Sequence, residues 1–364
     1  MVEALLSGPR GRRALLEYAL ASERLTGQGE RGDSLTSAVF FASHHLDPGK
    51  GRAALLLDTG AENAELALVT PEEVASRLDR LTLAVVTPRL LVTCLSHSVD
   101  LAAYWQEPDG QDVLAATVPM QDALRRVAEH LAGSMHAAWW CTSIAESSQW
   151  TVQWDSQPGT IPMDPQAVLR AAREKEIDGE QRAVRERPAD PTLSWSGSWW
   201  STPSRELASS TRELFDTSPA GLWFVEDSLG WESAVVARMA VPAGLRIYEI
   251  DSAEAWAGLC RQFPLEQTAQ KRHDWYRTTG RAGRWVVPDW ARVAEFYDGV
   301  HLQVAAYLSA AGTAISVDGD TATVIAGWGP DETFWFTPRV GLLDDPVAWV
   351  LEEGDAGYIW RRTI

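Results

Sequence analysis

The chain has 364 residues, 45% apolar and 23% charged, enough for two domains with a core each and unlike a disordered or fibrous protein. Its formal net charge of −18 divides evenly, about −9 on residues 1–190 and −9 on residues 191–364, which argues against broad contact with DNA or an anionic membrane. No run of about eighteen apolar residues occurs, Met1–Arg13 lacks a signal peptide's apolar stretch, and Cys94, Cys141 and Cys260 suit neither a disulfide framework nor a zinc site.

The expectation is a cytoplasmic, reduced, soluble protein without a metal. Only three lysines occur among the basic residues, a composition expected of a GC-rich, actinobacterial-type genome. The first half reads as mixed α and β. Arg12–Leu25 is apolar at helical spacing, and a Gly-rich break follows at Gly27–Gly32. Ala53–Leu57 predicts a strand running into the turn Asp58-Thr59-Gly60. Thr70-Pro71-Glu72-Glu73 predicts a helix start, with Thr70 as N-cap and acids in the first turn. Leu83–Val86 and Leu90–Leu95 predict strands around Thr87-Pro88. Met120–Ala132 predicts an amphipathic helix, and Gln149–Trp154 alternates like a strand.

Pro158, Pro162 and Pro165 interrupt that pattern. The charged stretch Gln166–Arg187 then predicts a linker helix, or a helix packed across two domains through Val168, Leu169 and Ala172. The division expected is therefore residues 1–155, a linker over 156–191, and a Trp-rich α+β domain over 192–364. In that last part, strands are predicted at Leu193–Ser201, Gly221–Val225, Ala234–Val241, Arg246–Ile250, Val300–Val304, Thr323–Ala326 and Thr333–Phe336. Helices are predicted at Ser204–Phe215, Ala253–Phe263 and Pro288–Phe296. The fold class expected for the whole chain is α+β.

All eighteen tryptophans follow residue 104. Indole is large, rigid and carries one N–H donor, so such a concentration suits walls around a ligand. The usual catalytic signatures are absent: there is no Walker A loop, G-x-G-x-x-G, H-E-x-x-H, G-x-S-x-G or C-x-x-C. The strongest local charge signal is Lys271–Arg284, where Lys271, Arg272, Arg277, Arg281 and Arg284 face the single acid Asp274. Arginines there can bind phosphate bidentately; equally, they can balance an acidic surface as a solvated loop. Ser201 and Thr202 stand where a ligand could be bound while Trp200 stacks on it, although Thr202 or Ser204 can instead cap a helix. Acids lie at strand ends as Glu226/Asp227, Glu249/Asp251 and Asp331/Glu332. The last pair lies between Trp328 and Trp335 and is the preferred catalytic carboxylate. Asp298 and His301 either pair or face a pocket.

The order of short motifs in the second half resembles a set of uncharacterised bacterial and phage proteins. The motifs are Gly221-Leu222-Trp223, Trp231 after a turn, Ile247-Tyr248-Glu249-Ile250-Asp251-Ser252, the stretch from Asp289-Trp290 to Tyr297-Asp298-Gly299-Val300-His301-Leu302, and Gly327-Trp328 followed by Trp335. The element order also resembles ADP-ribosyltransferase cores, which hold NAD between split antiparallel sheets. That resemblance implies Ser201-Thr202 as the hydroxyl pair and Glu332 or Asp331 as the carboxylate. It also calls for an Arg or His on the first strand, and Leu193–Ser201 has neither. The resulting expectation is a nucleotide-handling enzyme acting on NAD by ADP-ribosyl transfer or glycohydrolysis. Its ligand residues would be Trp200, Ser201, Thr202, Trp223, Arg277, Arg281, Arg284, Asp298, His301 and Trp328. The alternatives are a non-enzymatic Trp-lined binding module and a protein-interaction component of a bacterial defence or toxin system.

Overall fold

The computed structural model describes residues 1–28, 34–50, 67–154, 161–228, 230–354 and 357–363. The expected strand Ala53–Leu57 with its turn, and Pro158, lie outside them. The chain opens with α1 (Val2–Ser7), α2 (Pro9–Thr26), α3 (Leu35–Leu46), α4 (Pro71–Arg80), α5 (Pro88–Asp100), α6 (Gly110–Ala115) and α7 (Val118–Ala132), then a 3₁₀ segment, Met135–Cys141. Before residue 149 the described residues contain helices and no strand, and Leu83–Val86, expected as a strand, forms none. The predicted strand Leu90–Leu95 lies inside α5. Thr87 caps that helix by accepting from the Leu90 amide and Pro88 occupies its first turn, repeating the Thr70-Pro71 start of α4. Leu91, Val92, Leu95 and Val99 then fall on one buried face at helical spacing.

The strands begin with β1 (Gln149–Gln153). After α8 (Pro165–Glu186) come β2 (Ser209–Arg212), β3 (Ser233–Ala240), β4 (Ile247–Ile250), α9 (Ala253–Gln262), β5 (Pro264–Glu266), α10 (Thr268–Thr279) and β6 (Arg284–Pro288). The chain continues through α11 (Trp290–Val293), β7 (Gly299–Leu302), α12 (Val304–Ala310), β8 (Ile315–Asp318), β9 (Thr321–Thr323) and β10 (Thr333–Trp335). It ends with β11 (Gly341–Leu342), β12 (Val347–Gly354) and β13 (Gly357–Arg362). The main sheet runs β13-β12-β3-β1-β2-β10-β7-β4, with β11 on β3, and a smaller sheet runs β5-β6-β9-β8. The main-sheet pairs are antiparallel except β4 with β7. The protein is therefore an α+β fold.

Further predicted elements change type: Gly221–Val225, expected as a strand, begins inside a 3₁₀ turn, Ala220–Leu222, and pairs with no strand among the described residues. Leu193–Ser201 is extended but unpaired, and Ser204–Phe215, expected as a helix, contains β2. There Ser210, Thr211 and Arg212 are buried, and sheet pairing to β1 and β10 outweighs the capping pattern around Pro203. The boundary expected at residue 155 falls just after β1, which lies between β2 and β3 in the main sheet. α1 and α2 pack on α12, and α8 packs on α10 and α11. One apolar core accordingly runs from Leu5 to Trp360. No helix among the described residues is long and apolar enough to cross a membrane.

Candidate functional site

Strand register gathers four charged groups. Glu249 on β4 pairs with His301 on β7, His301 with Thr333 on β10, and Thr333 with Ser210 on β2. Neighbours in register share a face and residues two apart return to it, so Arg212 joins the row from β2, while Asp331, in the turn before β10, reaches it through its hydrogen bonds to Arg212. Glu249 Oε2 lies 2.6 Å from His301 Nδ1, and His301 Nε2 lies 3.4 Å from Asp331 Oδ1. Asp331 accepts from Arg212 twice, from Nε at 2.6 Å and from the backbone amide at 2.8 Å. His301 has no exposed surface and the Asp331 side chain is 2% exposed. Asp331 also adopts φ +67°, a left-handed conformation that Asp tolerates better than most residues and that these bonds hold in place.

The electrostatics of this chain are mutual. Burial disfavours the charged form of Glu249. The hydrogen bond and charge of His301, with the Ile144 amide and Gln303, outweigh burial and hold the carboxyl below its usual range. Burial likewise opposes the imidazolium of His301, but Asp331 and Glu249 outweigh it and raise its pKa. Glu249 additionally accepts from the Ile144 amide at 3.0 Å and from Gln303 at 3.3 Å.

The far end of the chain reaches a cleft of about 330 Å³. Leu91 and Val92 of α5, Met135, His136 and Trp139 of the 3₁₀ segment, and Arg212 through Phe215 line it. The Arg212 guanidinium lies 4.8 Å from the centre of the Trp139 ring and donates to Thr142 Oγ1 and the Ser143 carbonyl. Glu213 accepts from the Trp150 indole at 3.2 Å. Phe215 and Met135 are exposed at the rim.

The remaining residues expected at a site fall into separate groups. Trp200, Ser201, Thr202, Trp328 and Glu332 gather around residues 326–332. Ser201 exchanges bonds with the Ala326 backbone, and Trp200 packs so closely on Gly327 (φ +80°) that a Cβ there would lie 2.6 Å from the Trp200 Cβ. Thr202 Oγ1 is buried without a partner in the structure. Glu332 binds Arg205 at 3.1 Å and the Gly329 amide at 3.3 Å, so the neighbouring acids Asp331 and Glu332 serve different partners. Trp328 is fully buried and stacks on Trp290, so it is core rather than cleft wall. Trp223 is also buried, its indole donating to Ser218.

Asp298 accepts from the Arg246 amide at 2.8 Å, and its pairing partner is Arg246 rather than His301. The basic stretch is not a loop: residues 268–279 form α10. Arg277 binds Asp274 and the Trp105 carbonyl, Arg281 the Arg284 and Asp320 carbonyls, and Arg284 binds Glu266. Among the described residues none of these three arginines bonds to His301, Asp331 or Glu332. Lys271 of the same stretch is buried, its ammonium donating to the Ser198 and Trp200 carbonyls; burial brings its pKa down to about 8. Arg212, Trp139 and Glu213 carry no motif. Glu249 shows in the sequence only as an acid at a strand end.

One further buried group adjoins this region. Glu226 accepts from the Gly327 amide at 2.6 Å, while its Oε1 is buried without a hydrogen-bond partner. Burial pushes this carboxyl up to about 8, with Tyr307 and Arg10 acting in the opposite direction. Among the described residues no three His, Cys, Asp or Glu side chains cluster as metal ligands would. Comparison of the chain with protein-family models, with curated proteins and with solved structures finds no match.

Proposed function

We propose that the chain is a nucleotide-handling enzyme of ADP-ribosyltransferase type, acting at the nicotinamide–ribose bond of NAD in the cleft beside Arg212. The observation that carries this reading is the Arg212 guanidinium itself, stacked on Trp139 at the cleft and held from behind by Asp331. Guanidinium has five N–H donors; Asp331, Thr142 and Ser143 take one each, and the others suit a phosphate. Aromatic faces at Trp139 and Phe215 suit a planar base. Breaking the bond builds positive charge on ribose, and Glu213 is the carboxylate on the cleft lining to stabilise it.

The volume of about 330 Å³ sits at the low end of small-ligand sites, roughly 300–1,000 Å³, so one half of the dinucleotide would enter and the other would lie across the rim. Under this reading Asp331 acts through Arg212 rather than touching the ligand, and the protein works in the cytoplasm. A non-enzymatic binding role is the second reading. It is favoured by the commitment of the Asp331 and Glu332 carboxylates to protein partners.

The test titrates the protein with NAD while following tryptophan fluorescence and free nicotinamide together. Quenching with nicotinamide release is expected, and Glu213→Gln should keep the quenching while lowering release about 10²-fold or more. Quenching without release would move the balance to the binding role. The absence of both signals would overturn the NAD reading.

A further inference from the structure

We propose that His301 is a positioning residue for Arg212: as an imidazolium it holds Asp331, and through Asp331 it holds the guanidinium at the cleft, and it gives up that hold when it loses its Nε2 proton. The inference rests on the cleft beside Arg212 being the ligand site, but its geometry is independent of which ligand enters.

A carboxylate is acceptor only, and both ring nitrogens of His301 face one: Nδ1 faces Glu249 on β4 and Nε2 faces Asp331 before β10. Only the imidazolium has an N–H for each; a neutral ring must turn a lone pair toward one of them. The shorter contact, 2.6 Å against 3.4 Å, retains the single proton on Nδ1, so the loss falls on the Asp331 side. With the imidazolium, Glu249, His301, Asp331 and Arg212 sum to zero charge; without it, a buried excess of one negative charge remains. Asp331 is the group that binds both the Arg212 side chain and its backbone amide, so the consequence travels to β2. The raised His301 pKa agrees with the charged form. Among the described residues no other charged side chain bonds to the ring, and Gln303, which binds Glu249, is neutral.

The closing experiment is ligand-free, so its outcome is separable from that of the NAD titration. Hydrogen exchange of the full chain, corrected for intrinsic pH dependence, is followed for peptides containing Arg212 and Ile144 between about pH 5 and 9. Protection of the Arg212 amide should fall about tenfold as His301 deprotonates, while the Ile144 amide, bonded to Glu249, keeps its protection. In His301→Gln the Arg212 step should vanish, with α7 peptides reporting that the fold is retained. Glu249→Gln removes one of the two charges that favour the imidazolium, so its step should move to lower pH; this variant decides the matter should His301→Gln not fold. Constant Arg212 protection in the wild type, or the same step in His301→Gln, would overturn the assignment.

Discussion

Glu226 shows how a single buried side chain writes a pH dependence into the fold. Its carboxyl is buried beside Tyr307, with one oxygen bonded to Gly327 and the other unpartnered. A carboxyl raised from 4.5 to about 8 keeps its proton in the folded state while the unfolded chain releases it. Its contribution to stability is therefore fully present below about pH 4.5 and is lost as pH rises toward 8. Glu226→Gln should abolish that loss, becoming more stable relative to wild type by something on the order of 3–5 kcal/mol between pH 4.5 and pH 8. Urea midpoints of both proteins at the two ends of this window check it, and an unchanged difference would refute the assignment. The tryptophans belong to the same scale. Trp140, Trp256, Trp275, Trp285, Trp328 and Trp335 are fully buried, so much of the indole builds core, and Trp139 is one that lines the cleft. Composition reports how many indoles a chain has, but which ones face a ligand depends on the packing around each.

At the level of elements, α8 explains how a helix with thin apolar content can be tied to the rest of the protein. Among its side chains Leu169 and Ala183 are buried, and polar contacts supply the rest. Both carboxylate oxygens of Glu180 accept from the first-turn amides of α10, Ala269 at 2.8 Å and Gln270 at 2.9 Å. Those amides have no intrahelical acceptor, and the α10 N-cap, Gln267, supplies no side-chain bond. Arg173 meanwhile binds Asp289, the N-cap of α11, at 2.7 Å. Glu180→Ala should cost about 1–2 kcal/mol by removing an anion from a helix N-terminus. Chemical denaturation with an unchanged midpoint would show that α8 is held by its apolar residues alone. In the sequence the charges of α8 are plain, but the helix ends they serve are 89 to 116 residues away, beyond any local pattern.

Over the whole molecule, the helical first part and the sheet are joined by more than a chain crossing. Gly8 between α1 and α2 packs on the backbone of Leu308 and Ser309, where a Cβ would come within 2.2 Å of the Leu308 oxygen. α1 and α2 pack on α12, and β1 completes the sheet between β3 and β2. With a core continuous from Leu5 to Trp360, calorimetry should record one cooperative transition. Two resolved transitions would mean that the halves fold separately and that β1 contributes little to the sheet. The cleft depends on the same union, since its α5 and 3₁₀ walls come from one part and Arg212 and Glu213 from the other.

What could be read from the residues alone was local. The starts of α4 and α9, the amphipathic face of α7, the positions of β1, β3 and β4 and the α+β class all rest on patterns within a few positions. Thr87-Pro88 shows the limit of that reading, because Leu90–Leu95 satisfies either period until its buried face is known. His301 and Asp331 were legible as candidates, one beside a turn and one between tryptophans. Their connection to Glu249 and Arg212 was not. That connection depends on the pairing of β4, β7, β10 and β2, strands brought side by side from positions 209 to 335, and long-range register leaves no spacing in the sequence to find.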